Sequence, residues 1–219
     1  FNYIGNTNKT YKVIAMLGYS SPTLDVDSEI TKHDDISAHQ LKTQIKEFLT
    51  NLVGESTQTP PIYSAIKVKG KRLYKYARQN QDVEIPDRTI NVESTEFLEV
   101  NDNKVTFEIT VSKGTYIRSI VQQLGEYVNT YAIVETLTRT AIGNLNSNHK
   151  SLNTNVEALN HNSTIMPLDW AEVINLPKID LNVEMLETIK NGQLLPRNMF
   201  SSEENYIISI ENNIAAIYK

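Results

Sequence analysis

Lys113, Tyr116 and Arg118 fall within six residues of one another in the segment Ser112–Ser119, SKGTYIRS. The segment stands where an alternating apolar run gives way to a helical one, so it is a strand-to-helix junction. Gly114 lets the backbone approach a ligand closely. The exposed N–H groups of the following helix favour anions. Arg118 can grip a carboxylate or a phosphate through two parallel bonds, and Tyr116 can stack on a base. Anion binding beside an aromatic face is the chemistry on offer. The same spacing also suits a structural tyrosine and a surface arginine at an ordinary helix start.

A second segment, Gln58–Arg78 (QTPPIYSAIKVKGKRLYKYAR), holds six basic residues and no acid in a chain of net charge −5. They are Lys67, Lys69, Lys71, Arg72, Lys75 and Arg78, interleaved with Tyr63, Tyr74 and Tyr76 behind a double proline. A solvated helix turn after a proline loop has the same bases. The interleaved tyrosines and the missing acids favour a surface that meets a nucleic-acid backbone and stacks on bases.

Other chemistry is excluded or unsupported. The chain has no cysteine, which removes disulfides, thiolate metal sites and cysteine nucleophiles. His33, His39, His149 and His161 lack metal-ligand spacing, so no metal is expected. There is no glycine-rich phosphate loop and no GxSxG. Trp170 reads as a core or interdomain anchor. No apolar run reaches the roughly 20 residues of a membrane helix. Residues 151–219 carry nine acids and four bases, so 1–150 is neutral overall and positive charge gathers in the middle of the chain. That asymmetry suits a single nucleic-acid face. The start at Phe1 rather than methionine leads us to expect a fragment or a processed product.

The 219 residues allow one large domain, or a medium one and a small one. Lys9–Tyr19 reads as a strand with Tyr11, Val13, Ala15 and Leu17 on one face, and Ile14 and Met16 suggest burial on the other face too. Ser37 reads as the N-cap of a helix carrying Leu41, Ile45, Phe48, Leu49 and Leu52, stopped by Gly54. Arg72–Ala77 is a short helix, followed by strands at Arg88–Val100 and Lys104–Ser112. Ile117, Ile120, Val121 and Leu124 mark a helix closed by Gly125, then a strand at Ala132–Leu137. Seven asparagines in 144–163 make a linker with at most one helical turn, at Val156–Leu159. A helix at Val183–Lys190 and a hairpin pairing Tyr206–Ile210 with Ile214–Tyr218 close the chain.

Taken in order, four blocks resemble the TruB-type tRNA pseudouridine synthases. They are Lys9-Thr10-Tyr11 with Leu17-Gly18, Gln58–Arg78, Ser112–Ser119 with Leu124-Gly125, and Leu137–Gly143 (LTRTAIG). Leu194-Leu195 and the closing AAIYK weakly resemble the family's small C-terminal RNA-binding extension. The family's catalytic aspartate sits in a segment like GTLDPxAxGVL before the KxY strand, and nothing before Lys9 resembles it. Thr23-Leu24-Asp25 is a decoy for that motif. It aligns better with the family's TxTxDxxG loop, here TLDVDSE, which has lost the glycine. The expectation is therefore an N-terminally truncated enzyme, inactive without its aspartate.

The resemblance implies an α+β fold: a mixed, mainly antiparallel sheet with flanking helices over 1–150, and a small β-rich RNA-binding extension of PUA type over 164–219. It implies isomerisation of the T-loop uridine of tRNA to pseudouridine in the cytoplasm, by a monomer, with no cofactor or metal. Tyr11 would stack on the flipped base, and Arg118 would pair with the catalytic aspartate. Tyr116 and Leu137 would line the uracil pocket. Lys9, Lys67, Lys69, Lys71, Arg72, Lys113 and Arg139 would meet RNA. With that aspartate missing, Arg118 should have an anion, a water or a substitute acid beside it. A non-catalytic tRNA-binding or RNA-chaperone module is the alternative.

Overall fold

The computed structural model describes residues 7–143, 145–146, 176–201, 205–211 and 213–218. The chain divides into two compact units, Phe1–Ile142 and Gly143–Lys219.

The first unit is built on β1 (Lys9–Leu17). Its alternate residues Val13, Ala15 and Leu17 are fully buried, while Ile14 and Met16 on the opposite face are half-buried. A two-stranded ribbon follows, β2 (Tyr19–Ser20) with β3 (Thr31–Lys32). Helix α1 (Lys42–Asn51) buries Ile45, Phe48 and Leu49. It begins later than expected: Leu41 is its cap, with no side-chain capping bond. Ser37 instead opens a run of turns, because Ala38 N–H bonds Asp102 O at 2.7 Å and its side chain is buried. Strand β4 (Gly54–Gln58) was hidden in a polar sequence, GESTQ, of which only Gln58 is buried.

Next come the ribbon β5 (Lys67–Val68) and β6 (Lys71–Arg72) and the short helix α2 (Leu73–Arg78). Long strands β7 (Arg88–Asn101) and β8 (Lys104–Val111) form a hairpin. Helix α3 (Ile117–Tyr127) and strand β9 (Ala132–Ile142) complete the unit. Its five long strands lie in the order β9-β1-β8-β7-β4, every neighbouring pair antiparallel. Val105, Phe107, Ile109 and Val111 of β8 turn inward to meet Ile117, Ile120, Val121 and Leu124 of α3 in one core with α1. Each such side chain stabilises the fold by about 1.5–3 kcal/mol on burial.

Helix α3 runs through Gly125 to Tyr127 instead of stopping there. The glycine is needed for a close approach, since a Cβ at Gly125 would lie 2.6 Å from Ala132 N and 2.8 Å from Tyr131 C.

The second unit contains β10 (Leu145–Asn146), β11 (Lys178–Leu181), a 3₁₀ turn at Val183–Met185, α4 (Leu186–Lys190), β12 (Tyr206–Ile210) and β13 (Asn213–Tyr218). The expected terminal hairpin is β12–β13. It gains a third strand, β11, parallel to β12, which supplies the neighbour an isolated hairpin lacks. Ile189, Leu195, Tyr206, Ile208 and Ile210 form its core. The helical turn at Val156–Leu159 and Trp170 lie outside the described residues.

Replacing Gly125 by alanine should force α3 away from the start of β9 and cost about 1–3 kcal/mol. The check is the urea midpoint, expected to fall with an unchanged slope.

Candidate functional site

Arg118 is the second residue of α3, and Tyr116 is that helix's N-cap. The Arg118 guanidinium reaches across to two loops. Nη1 donates to Thr23 O at 2.8 Å and to Asp25 Oδ2 at 3.0 Å, and Nη2 donates to Tyr63 O at 3.0 Å. The ion pair is largely shielded, with side-chain exposures of 24% for Arg118 and 19% for Asp25. Asp25 also forms an isolated parallel bridge with Val134 of β9, and Val134 N–H donates to Leu24 O at 3.0 Å. The acid is thereby seated beside both α3 and the sheet. Arg118 thus has an acid from within the chain at its side.

The start of α3 is held from the other side by Gln58, at the end of β4 and 1% exposed. Its Nε2 donates to Tyr116 O at 3.1 Å, while Tyr116 N–H donates to Gln58 Oε1 at 2.8 Å. One amide thus satisfies both main-chain groups of the capping residue. Ser119 Oγ donates to Thr59 O at 3.1 Å and ties the same two segments again. Ser64, next to Tyr63, is buried and its Oγ has no partner among the described residues. Such an orphan costs about 1–3 kcal/mol, carried by the turn that presents Tyr63 O to Arg118.

The sheet supplies the rest. Lys9, Tyr11 and Val13 share a face of β1 at period two. In the antiparallel register Tyr11 stands opposite Arg139, Val13 opposite Leu137 and Ala15 opposite Val134. Val134 and Leu137 are an odd number of residues apart, so a regular strand would put them on opposite faces. The register shift between Ile14 and Ala15 absorbs the extra residue and returns Leu137 to the face of Val13. Leu137 is 43% exposed there, a large apolar side chain open to a ligand. The burial of Lys9, and then the nearby charges of Arg139 and Lys113, lower its pKa. Lys9, Lys113 and Arg139 therefore converge on one anion-attracting patch beside Tyr11.

The basic block forms the β5–β6 ribbon and α2. Lys69 (φ 50°) and Gly70 (φ 80°) make its two-residue turn, and Lys67 pairs directly with Arg72. Lys67, Lys69 and Arg72 are exposed. Lys71 is turned inward: its Nζ lies 4.3 Å from the Tyr76 ring centroid and donates to Gln79 Oε1 and to Gln81 Oε1. Arg78 covers the Tyr74 ring at 5.4 Å. Tyr74 and Tyr76 thus stack on the chain's own cations rather than stand open to bases. A cavity of about 540 Å³ lined by Leu24, Gln122, Glu126 and Tyr131 contains none of the expected site residues.

The model of the TruB family pseudouridylate synthases (N-terminal domain) matches residues 1–117. Among curated proteins, tRNA pseudouridine synthase B of Ligilactobacillus salivarius is 31% identical over 230 residues, covering 100% of this chain and 76% of that protein. The protein of the same name from Oceanobacillus iheyensis is 33% identical over 226 residues, covering 99% of this chain and 74% of its own. The chain belongs to the TruB family of pseudouridylate synthases. Among solved structures, a Cbf5-Nop10-Gar1 complex contains a chain with a TM-score of 0.60 at 19% identity, covering 100% of this chain and 61% of that one. An H/ACA RNP bound to a substrate RNA containing 2′-deoxyuridine gives a TM-score of 0.60 at 15% identity, covering 99% of this chain and 60% of that one. These likenesses show the fold, and the chain spans about three fifths of the length of those solved chains. Within this family the α+β fold with a large antiparallel sheet is the expected one.

Two residues of this site, Asp25 and Gln58, are not marked as such by the sequence. Asp25 was set aside as a decoy for a catalytic motif, yet it is the acid on Arg118. Gln58 opens the basic block, and its residue type alone implies no role. A buried glutamine ending a polar strand just before a double proline is the signal that marks it.

Gln58→Leu should strand the main-chain N–H of Tyr116, whose carbonyl keeps the Ile120 N–H at 3.3 Å, at about 1–3 kcal/mol, and lower the thermal midpoint by a few degrees. A midpoint like that of the wild type would remove Gln58 as the brace of α3. Lys9 yields a prediction with a definite sign. Its folded pKa lies below the unfolded one, so the folded state carries a penalty while Lys9 is charged in both states. The penalty is relieved as pH rises through the folded pKa towards the unfolded one. Lys9→Met should therefore gain stability relative to wild type at neutral pH, the gap closing on alkaline titration followed by urea unfolding.

Proposed function

We propose that this chain is the tRNA-binding and uridine-recognition part of a cytoplasmic, cofactor-free and monomeric pseudouridine synthase acting on the T arm. Its family and the names of its relatives support the substrate class. The observation that carries the reading is the Arg118 guanidinium, shielded at the start of α3 and fixed by Asp25, Thr23 and Tyr63. Three of its five N–H donors are engaged among the described residues. The other two have no partner among the described residues and can hold a second carboxylate.

The reaction detaches uracil from C1′, turns it and rejoins it through C5, so that N1 gains a proton and C5 loses one. The base must first leave its stack. Tyr11 stacks on the flipped uracil, contributing about 1–3 kcal/mol against the unstacking cost. Tyr116 and Leu137 close the pocket. Lys9, Lys113 and Arg139 hold the phosphates beside it, and Lys67, Lys69 and Arg72 reach the arm's backbone. Lys71 serves the ribbon itself, engaged with Tyr76, Gln79 and Gln81. The residues 164–219 act as a small RNA-binding extension.

The family's aspartate would take the second carboxylate position on Arg118 and act at C1′. No segment of the 219 residues matches its motif. Asp25 is a poor substitute because both its oxygens are already engaged: Oδ2 with Arg118, Oδ1 with Thr23 and with Asp27 N–H. Asp25 is therefore an anchor for Arg118, and the chain by itself binds without turning over.

Binding to a T-arm stem-loop is tested by salt titration. Lys67→Ala with Arg72→Ala should weaken binding and lower the log–log salt slope by about 0.7–0.9 per lost contact. An unchanged slope takes the ribbon out of the interface. Pseudouridine formation is measured on the same RNA. None is expected, and its appearance would make Asp25 the nucleophile and overturn its role as an anchor.

A further inference from the structure

Asp25 sits on the loop 21–30 that joins β2 to β3. A carboxylate on such a loop rotates freely unless something holds its plane in one orientation. Thr23 Oγ1–H donates to Asp25 Oδ1 at 2.5 Å, and Asp27 N–H donates to the same oxygen at 3.1 Å. Oδ2 is left for Arg118. Thr23 therefore touches both halves of the ion pair, its hydroxyl on the acid and its carbonyl on Arg118 Nη1 at 2.8 Å.

Ser28 stands behind Thr23. The two hydroxyl oxygens are 2.6 Å apart, and Thr23 N–H reaches Ser28 Oγ at 3.4 Å. An ionised carboxylate only accepts, so the single Thr23 hydroxyl proton goes to Asp25. The Ser28 hydroxyl must then donate to Thr23 Oγ1. The donors run in one direction, from Ser28 to Thr23 to Asp25, and each bond polarises the next. Ser28 occupies the place of the glycine in the TxTxDxxG pattern that this loop resembles. A glycine there could offer no side-chain donor.

We propose that Thr23, oriented by Ser28, is a positioning residue that sets the orientation of the Asp25 carboxylate towards Arg118 and so fixes the guanidinium at the uracil pocket. The proposal rests on the pseudouridine synthase reading for its consequence in RNA binding, but not for its consequence in the free protein.

Two measurements on the 219-residue chain test it. In the free protein, solvent exchange of the Arg118 side-chain N–H groups is followed by NMR. Thr23→Val removes the hydroxyl at nearly constant shape and keeps the carbonyl. It should speed that exchange about tenfold, the loss of one bond to a charged group. Thr23→Ser should restore slow exchange, and Ser28→Gly should fall between. Exchange unchanged in Thr23→Val, or in Ser28→Gly should Thr23→Val not fold, overturns the proposal. In the second measurement, a T-arm RNA with its target uridine is compared with one abasic at that position. Wild type should prefer the uridine RNA, and Thr23→Val should lose most of that preference with an unchanged salt slope. A preference retained in Thr23→Val also overturns the proposal. A wild type that binds both RNAs alike sinks the uridine-recognition reading instead, and the exchange measurement still decides the role of Thr23.

Discussion

The charge on Arg118 must be kept half out of water and pointed in one direction, and much of the first unit is arranged around that requirement. A shielded guanidinium left without acceptors would be costly, because it gives up hydration and gains nothing in return. Its acceptors come from residues 23, 25 and 63, all far from it in sequence. The helix that carries it is itself pinned by Gln58 and Thr59. The β2–β3 loop, the turn after β4 and the start of α3 are thus joined through one side chain. A change in any of the three is felt by the others.

That arrangement separates two kinds of charged surface. The ribbon β5–β6 and the patch of Lys9, Lys113 and Arg139 carry charge on exposed or partly exposed groups, suited to a backbone that is long, flexible and screened by salt. The Arg118 site carries one shielded charge with set directions, suited to a single group of fixed shape. The two tyrosines of α2 are already covered by Lys71 and Arg78. In the free protein they shape the ribbon and helix that display the bases.

Much of this was legible from residue order. The alternation in β1 and β8 and the helical spacing in α3 follow from the need to bury one face, and Val13, Phe107 and Ile120 are buried accordingly. What could not be read has identifiable causes. Strand β4 has no apolar period, because it is an edge strand whose side chains mostly face water. Asp25 lies in a loop with no period, and its partner is 93 residues away. Residue type alone cannot tell an acid that anchors a cation from one that attacks a sugar. Gly125 looked like a helix stop because a glycine frees the backbone, yet here it removes a side chain from a tight contact with β9.

The irregular register between β1 and β9 has a consequence for how this fold can vary. Leu137 and Arg139 reach the Tyr11 face because the pairing slips between Ile14 and Ala15, and a second slip between Thr10 and Tyr11 resets Ala141 and Ile142 beyond them. The odd residues are spacers whose number matters more than their identity. Deleting one of them would leave the composition of the strand almost intact while turning side chains such as Leu137 towards the far side of the sheet. Among descendants of this chain, substitutions within β9 should be tolerated far more readily than insertions or deletions there. Length changes should collect in the connections, where a count of residues carries no information about direction.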